Sequence, residues 1–141
     1  MTSPARDDAA DTTASRPRRT RRALRHGDGE PAPTFRLPDL RDPARDIALA
    51  DFAGRPVVLN FWAAWCGPCR REMPAFERLH HQLGDRVAFV GINHQDGRSD
   101  ALALLAETGV TYPSAHDPAG EVAQAYGLYR HAHHRVHLHH R

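Results

Sequence analysis

The sequence predicts an α/β fold in which helices cover a parallel sheet. Two apolar runs rich in β-branched residues, at 56–62 and 86–92, are typical of strands that are buried on both faces. A helical pattern follows each run, and this strand–helix–strand–helix order is typical of parallel sheets. The length of 141 residues, 40% of them hydrophobic, fits one modest domain with a disordered tail.

The predicted elements begin with two short strand segments joined by a turn at residues 41–43. Their apolar positions are Phe35, Leu37, Leu40, Ile47, Leu49 and Phe52. The strand at 56–62 then leads into a helix that ends at Gly84, with apolar residues at three- and four-residue steps: Met73, Phe76, Leu79 and Leu83. Pro74 predicts a kink in this helix. The remaining elements are a strand at 86–92, a helix capped by Ser99 and Asp100 that stops near Gly109, an extended piece at 112–114 and a helix at 118–126.

Composition divides the chain into three regions. Residues 1–32 are polar and predicted to form a disordered arm, residues 33–130 form the domain, and residues 131–141 form a tail that holds six of the 11 histidines. The domain carries ten arginines against twelve acidic residues, so it has no electrostatic footprint for nucleic acid. The basic run at 16–25 is interpreted as a solvated part of the arm rather than a phosphate or lipid contact. No apolar run reaches 18 residues, which predicts that no segment spans a membrane.

The two cysteines, Cys66 and Cys69, lie where a buried strand is predicted to turn into a helix. Their spacing is too short for a structural staple, and it supplies only half of a four-ligand zinc site. His80 and His81 are the residues that could complete such a site. The flanking residues favour redox chemistry instead.

A cysteine at the start of a helix has a definite chemical use. Free backbone N–H groups and the positive end of the helix dipole favour a thiolate on Cys66. Cys69 lies one turn later on the same face, where it can attack a mixed disulfide formed by Cys66. Gly67 and Pro68 suit the turn between them. Trp62 and Trp65 are expected to flank the site and limit water, although packing in the core is an equal alternative for Trp62.

Residues 60–74 resemble the thioredoxin superfamily, specifically its TlpA/ResA/CcmG-like thiol–disulfide oxidoreductases. Their sequence is Asn-Phe-Trp-Ala-Ala-Trp-Cys-Gly-Pro-Cys-Arg-Arg-Glu-Met-Pro. The lead-in, with Ala-Pro-Thr-Phe at 32–35 and Leu-Pro-Asp-Leu at 37–40, is similar to that branch as well. The resemblance covers about residues 32–130 and implies a thioredoxin-like fold. Peroxiredoxins share the lead-in, but their Pro-x-x-x-Thr-x-x-Cys segment is absent.

The resemblance implies that Cys66 is the nucleophile and Cys69 the resolving thiol of a protein disulfide reductase. Glu72 matches a family glutamate that tunes thiol acidity and proton transfer, and its alternative role is that of a surface carboxylate. Asn60 replaces the acidic residue of cytosolic thioredoxins, which removes one proton acceptor and favours the specialised branch.

The same resemblance implies protein thiol or disulfide substrates, an upstream electron donor and no cofactor beyond the Cys66–Cys69 disulfide. We expect a monomer. Family members usually act outside the cytoplasm or on a membrane anchor, whereas this chain shows neither signal nor anchor, so the sequence leaves its compartment open.

The resemblance ends at Arg130, where the family continues with Gly-x-Pro-Thr-Thr, a cis-proline loop and an apolar strand. We therefore expect a fold without the cis-Pro loop, the last strands and the final helix, and with impaired protein-disulfide turnover. The alternative outcome is an inactive fragment whose histidines at 131–141 bind metal opportunistically through neutral imidazole.

A one-nucleotide shift near Arg130 would account for this ending. The chain has arginine and no lysine, which indicates GC-rich codons, and codons from Arg130 onward can be chosen with a lean to GC so that they encode Gly-Thr-Pro-Thr-Thr-Ala-Phe-Ile when read one base later. The Gly, Pro, Phe and Ile of this segment depend on the codons chosen. Sequencing the coding DNA tests this hypothesis: a single-base shift there must restore the family segment, and the hypothesis is wrong if none does.

Overall fold

A computed structural model describes residues 31–128 and the backbone of residues 136–139. The strands are β1 (Arg36–Pro38), β2 (Asp46–Ala48), β3 (Val57–Trp62), β4 (Ala88–His94), β5 (Ser114–Asp117) and β6 (Val136–His139). The helices are α1 (Gly67–Leu83), α2 (Arg98–Thr108) and α3 (Glu121–Ala125). Short 3-10 turns occupy Leu49–Phe52 and Gly84–Arg86.

The main sheet has the strand order β5-β4-β3-β6. The strands β3, β4 and β5 run parallel, β6 pairs antiparallel with β3, and β1 and β2 form a separate antiparallel pair. The predicted α/β architecture with a parallel sheet and helices is confirmed.

Strand β3 lies at the centre of the core, and all six of its residues are buried. Successive side chains of a strand point to opposite faces of the sheet. Accordingly, Val57, Leu59 and Phe61 belong to one hydrophobic cluster, whereas Val58 and Trp62 belong to another. The prediction of a strand buried on both faces is confirmed, and β3 is thereby fixed from both sides.

Gly91 of β4 lies close to side chains of both neighbouring strands. A Cβ atom at this position would lie 2.7 Å from Ser114 Oγ and 2.8 Å from Trp62 Nε1. Only glycine therefore fits here, and its absent side chain leaves room for the side chains of Trp62 and Ser114.

Several predicted boundaries are wrong. The extended piece predicted at 112–114 is strand β5 at Ser114–Asp117, and local side-chain bonds explain two of the three other differences. Leu49–Phe52 is a 3-10 turn rather than a strand, because the Asp51 carboxylate accepts a hydrogen bond from Ala48 N at 3.0 Å. Helix α3 begins only at Glu121, because Asp117 Oδ2 accepts a hydrogen bond from Ala123 N at 3.0 Å. Helix α2 is capped by Gly97 rather than by Ser99 and Asp100, since the Gly97 carbonyl accepts the Ala101 N–H at 3.0 Å.

The expectation that the last strands are missing needs a correction. Val136–His139 forms strand β6, and its residues Val136 and His139 pair with Asn60 and Val57 of β3. Without β6, this side of β3 would be an open edge with unpaired N–H and C=O groups, which favours pairing with any segment that reaches it. The prediction that the cis-Pro loop is missing concerns residues 130–135, which lie outside the described residues.

The predicted region boundaries stay predictions, because most of the arm and of the tail lies outside the described residues. Ala32, which the prediction places in the arm, is buried in the core. Its neighbour Pro33 accepts a hydrogen bond at its backbone oxygen from Tyr126 Oη at 2.7 Å. The packed part of the chain therefore extends at least to residue 32.

Helix α1 is fastened to the segment before β5 by a buried carboxylate. Glu77 accepts hydrogen bonds from Thr111 N at 2.9 Å, from Thr111 Oγ1 and from His81 Nε2 at 2.8 Å. Burial alone raises the pKa of Glu77, but the bonds from Thr111, from the Tyr112 backbone and from His81 together hold that pKa below its ordinary value of 4.5.

We expect Glu77→Gln to lower the free energy of unfolding by about 1–3 kcal/mol near pH 7, because the amide leaves buried donors imperfectly paired. A pKa depressed in the folded state stabilises the fold above pH 4.5, and this contribution is lost as the pH falls through the folded pKa. Urea denaturation at about pH 7 and about pH 3 should therefore show a difference between variant and parent that shrinks at the lower pH.

The matched control is Glu107→Gln, whose side chain is 55% exposed in an ion pair with Arg70 and should matter little. An equal loss for Glu77→Gln at both pH values would contradict the role given to the Glu77 charge.

Candidate active site

The cysteine pair lies at the junction between β3 and α1. Strand β3 ends at Trp62, residues 63–65 form a short loop, and Cys66 is the N-cap of α1 in an extended conformation. Its backbone N–H donates to Ala63 O at 3.1 Å, which closes the turn into the helix. The predicted position of Cys66 just before the first helical turn is what the structure shows.

Cys66 and Cys69 form a disulfide, with their Cα atoms 5.4 Å apart. The two sulfur-bearing residues differ in exposure, because Cys66 is half-buried whereas Cys69 is only 1% exposed. An external molecule can therefore reach Cys66 but not Cys69. Gly67 and Pro68 form the first turn of α1 between them, where a proline needs no hydrogen-bond partner for its nitrogen.

The two tryptophans take different places around the pair. Trp62 is fully buried in the same cluster as Cys69, so it packs beneath the site. Trp65 is 57% exposed, donates its indole N–H to Gln95 O at 3.0 Å and meets the His94 ring edge-on at 5.5 Å. Trp65 is therefore exposed next to Cys66 in the chain, whereas Trp62 belongs to the core.

His94 and His116 both belong to strands of the main sheet. His94 ends β4, and its burial lowers its pKa although the carboxylates of Asp117 and Asp96 act in the opposite direction. His116 lies in β5, where its Nε2 is 2.9 Å from the backbone oxygen of Asp96. These contacts bring polar groups together at the ends of β4 and β5, next to the loop before Cys66.

Asp96 is a site residue that the sequence did not reveal. Its Oδ2 accepts hydrogen bonds from Ala64 N at 2.7 Å and from Asn93 Nδ2 at 2.9 Å. The only sequence signal was its place just after a buried strand, where parallel sheets carry functional groups.

Asn60 is buried in β3, where its amide donates to Tyr112 Oη at 2.9 Å. Burial raises the pKa of Tyr112 well above its ordinary value, so this hydroxyl stays neutral. The buried pair therefore brings no ionised group to the interior of the sheet. The expectation that Asn60 removes a proton acceptor stays a prediction.

Glu72 is exposed on α1, three residues after Cys69. The buried carboxylate of this helix is Glu77 instead, which the apolar pattern did not indicate. His80 lies eleven residues beyond Cys69, about 16 Å along the helix axis, so it cannot complete a zinc site with the cysteines. Among residues 31–128, no three His, Cys, Asp or Glu side chains are grouped as metal ligands.

The family of the chain follows from comparison with known proteins. Residues 29–139 match the AhpC/TSA family. The chain belongs to this family. The matched range contains all of the described residues, including both cysteines.

Within this family, the relatives are named as thiol–disulfide oxidoreductases. The thiol:disulfide interchange protein DsbE of Xylella fastidiosa is 41% identical over 101 residues, which are 71% of this chain and 50% of that protein. The thiol–disulfide oxidoreductase ResA of Bacillus thuringiensis is 32% identical over 101 residues, covering 71% of this chain and 57% of that protein. The chain thus spans about half the length of the curated relatives it matches.

The solved structures agree on the fold. A DsbF homologue from Corynebacterium diphtheriae superposes with a TM-score of 0.69 at 33% identity, covering 77% of this chain and 69% of that chain. The predicted thioredoxin-like fold and the resemblance to thiol–disulfide oxidoreductases are both confirmed. The helices of the described residues are all too short or too polar to cross a bilayer.

We expect iodoacetamide to modify Cys66 well before Cys69 in the reduced, folded protein, because Cys69 is almost fully buried. The rate at Cys66 should rise with pH at an apparent pKa below that of a free thiol, since the start of α1 favours the thiolate. Peptide mass spectrometry after timed alkylation measures both rates. In denaturant the two rates should become similar, and equal rates in the folded protein would contradict this assignment.

Proposed function

We propose that this chain exchanges disulfides with protein substrates through the Cys66–Cys69 pair. The observation that carries the proposal is the asymmetry of the pair: Cys66 is half-buried at the start of a helix, whereas Cys69 is buried one turn later. This arrangement suits a reaction in which the first sulfur meets the substrate and the second completes the exchange.

In the reducing direction, the Cys66 thiolate attacks one sulfur of a substrate disulfide. A new bond forms between Cys66 Sγ and that sulfur, the substrate S–S bond breaks, and the other substrate sulfur leaves as a thiolate that takes up a proton. The product of this step is a mixed disulfide. The partial positive charge at the start of α1 favours the attacking thiolate because it lowers the cost of the charge on Cys66.

Cys69 then loses its proton and attacks Cys66 Sγ. The mixed disulfide breaks, the substrate leaves as a dithiol, and the disulfide between Cys66 and Cys69 forms. Two electrons have moved from the cysteine pair to the substrate, so the cycle needs a dithiol donor to reduce the pair again. The same steps run in reverse oxidise a substrate dithiol.

The surrounding residues support these steps in the proposal. The exposed face of Trp65 offers apolar contact beside Cys66, and the buried Trp62 keeps water from beneath Cys69. An open groove of about 370 Å³ extends from Trp65 between α1 and α2 and gives a substrate segment room beside the site. Glu72 is proposed to exchange protons with the thiols through solvent, since it is exposed on the same helix.

We expect Cys69→Ser to trap a mixed disulfide between Cys66 and a disulfide-bonded test substrate such as insulin, because the resolving thiol is missing. Non-reducing electrophoresis with mass spectrometry detects the trapped species. Turnover of insulin by the parent chain with a dithiol donor should exceed the uncatalysed rate, and Cys69→Ser should reduce it to near that rate.

Cys66→Ser is the matched control, since it keeps the second thiol but removes the accessible one and should trap nothing. The chain has no other cysteine, so any adduct is assigned without ambiguity. Equal trapping by both variants, or no insulin turnover by the parent, would contradict the proposed function.

A further inference from the structure

The loop that carries the cysteine pair is held by two hydrogen bonds from consecutive residues. Ala64 N donates to Asp96 Oδ2 at 2.7 Å, and Trp65 Nε1 donates to Gln95 O at 3.0 Å. Both donors lie immediately before Cys66, and both acceptors lie in the segment that follows β4. The orientation of the loop therefore depends on that segment.

The bond to Asp96 is the stronger of the two by its chemistry. A backbone N–H that donates to an ionised carboxylate makes a shorter and stronger bond than one that donates to a neutral oxygen. The same Oδ2 also accepts the Asn93 amide at 2.9 Å, so the carboxylate joins the end of β4 to the loop before α1. Removing it leaves two partly buried donors without this acceptor.

The segment that carries Asp96 is itself fixed from the other side. Gln95 has a left-handed φ of 50°, and its backbone N–H donates to Asp117 O at 3.1 Å. His116 Nε2 lies 2.9 Å from the Asp96 backbone oxygen. The bonds to β5 thus hold residues 95 and 96 in place independently of the loop. We infer that Asp96 fixes the position of Ala64.

We propose that Asp96 is a positioning residue for the redox pair, acting through Ala64 on Cys66. By fixing Ala64, its carboxylate keeps Cys66 at the N-cap of α1, where the helix start favours the thiolate. This inference rests on the proposed function, because positioning matters only if Cys66 is the attacking group. Asp96 itself takes no part in bond making or proton transfer.

The sign of the effect separates positioning from a direct charge effect. A negative charge near Cys66 disfavours its thiolate, so loss of the Asp96 charge alone would lower the apparent pKa of Cys66. Loss of positioning has the opposite result, because a displaced Cys66 no longer benefits from the start of α1 and its apparent pKa rises.

The test compares Asp96→Ala, Asp96→Asn and Asp100→Ala in the full chain. Asp100 lines the same groove as Asp96, and its substitution by alanine removes an equal charge. We expect Asp96→Ala to raise the apparent pKa of Cys66 alkylation and to lower kcat/KM for insulin by about tenfold. Asp96→Asn keeps an acceptor oxygen and should stay within about threefold of the parent. Asp100→Ala should match the parent in the apparent pKa of Cys66 alkylation.

Thermal unfolding of each variant shows whether the chain still folds, and the alkylation pKa reads out positioning even where turnover is low. A lower melting temperature for Asp96→Ala with unchanged alkylation pKa and kcat/KM would overturn the proposal, as a merely structural role predicts that result. A lowered pKa in both Asp96 variants would overturn it as well, since it indicates a direct charge effect. If the parent chain does not turn over insulin but Asp96→Ala still raises the apparent pKa of Cys66, the result would contradict the proposed function and not the positioning role of Asp96.

Discussion

The burial of β3 on both faces is the constraint on which the rest of the structure depends. Side chains of β3 fill two hydrophobic clusters, one on each side of the sheet, so the strand cannot shift without exposing both. The strand ends at Trp62, and α1 begins five residues later. Cys66 is therefore placed by the core, and its chemistry follows from where the buried strand stops.

Two carboxylates extend this placement from the strand to its neighbours. Glu77 ties the middle of α1 to Thr111, and Asp96 ties the loop before α1 to the end of β4. Each accepts a backbone N–H group that is distant in sequence. The two bonds therefore help to fix the orientation of α1 relative to the sheet. The redox pair lies between these two attachments.

The local features of the site could be predicted from the sequence, because they depend on neighbouring residues. The apolar run of β3, the spacing of Cys66 and Cys69 and the end of α1 at Gly84 all follow from local patterns. The contacts of Asp96 with Ala64 and of Glu77 with Thr111 span 32 and 34 residues, and no local pattern encodes them. The pairing of β6 with β3 was missed for the same reason, since an open strand edge accepts a partner through backbone groups that every sequence carries.

The central claim is that Cys66 and Cys69 act as one two-electron pair. Titration of the chain in glutathione buffers of stepped ratio, with acid quenching and mass analysis of the alkylated thiols, tests it most directly. The account predicts a single transition between dithiol and intramolecular disulfide, with the singly glutathionylated chain a minor species throughout. A chain that accumulates glutathione on Cys66 while Cys69 remains a free thiol would contradict it.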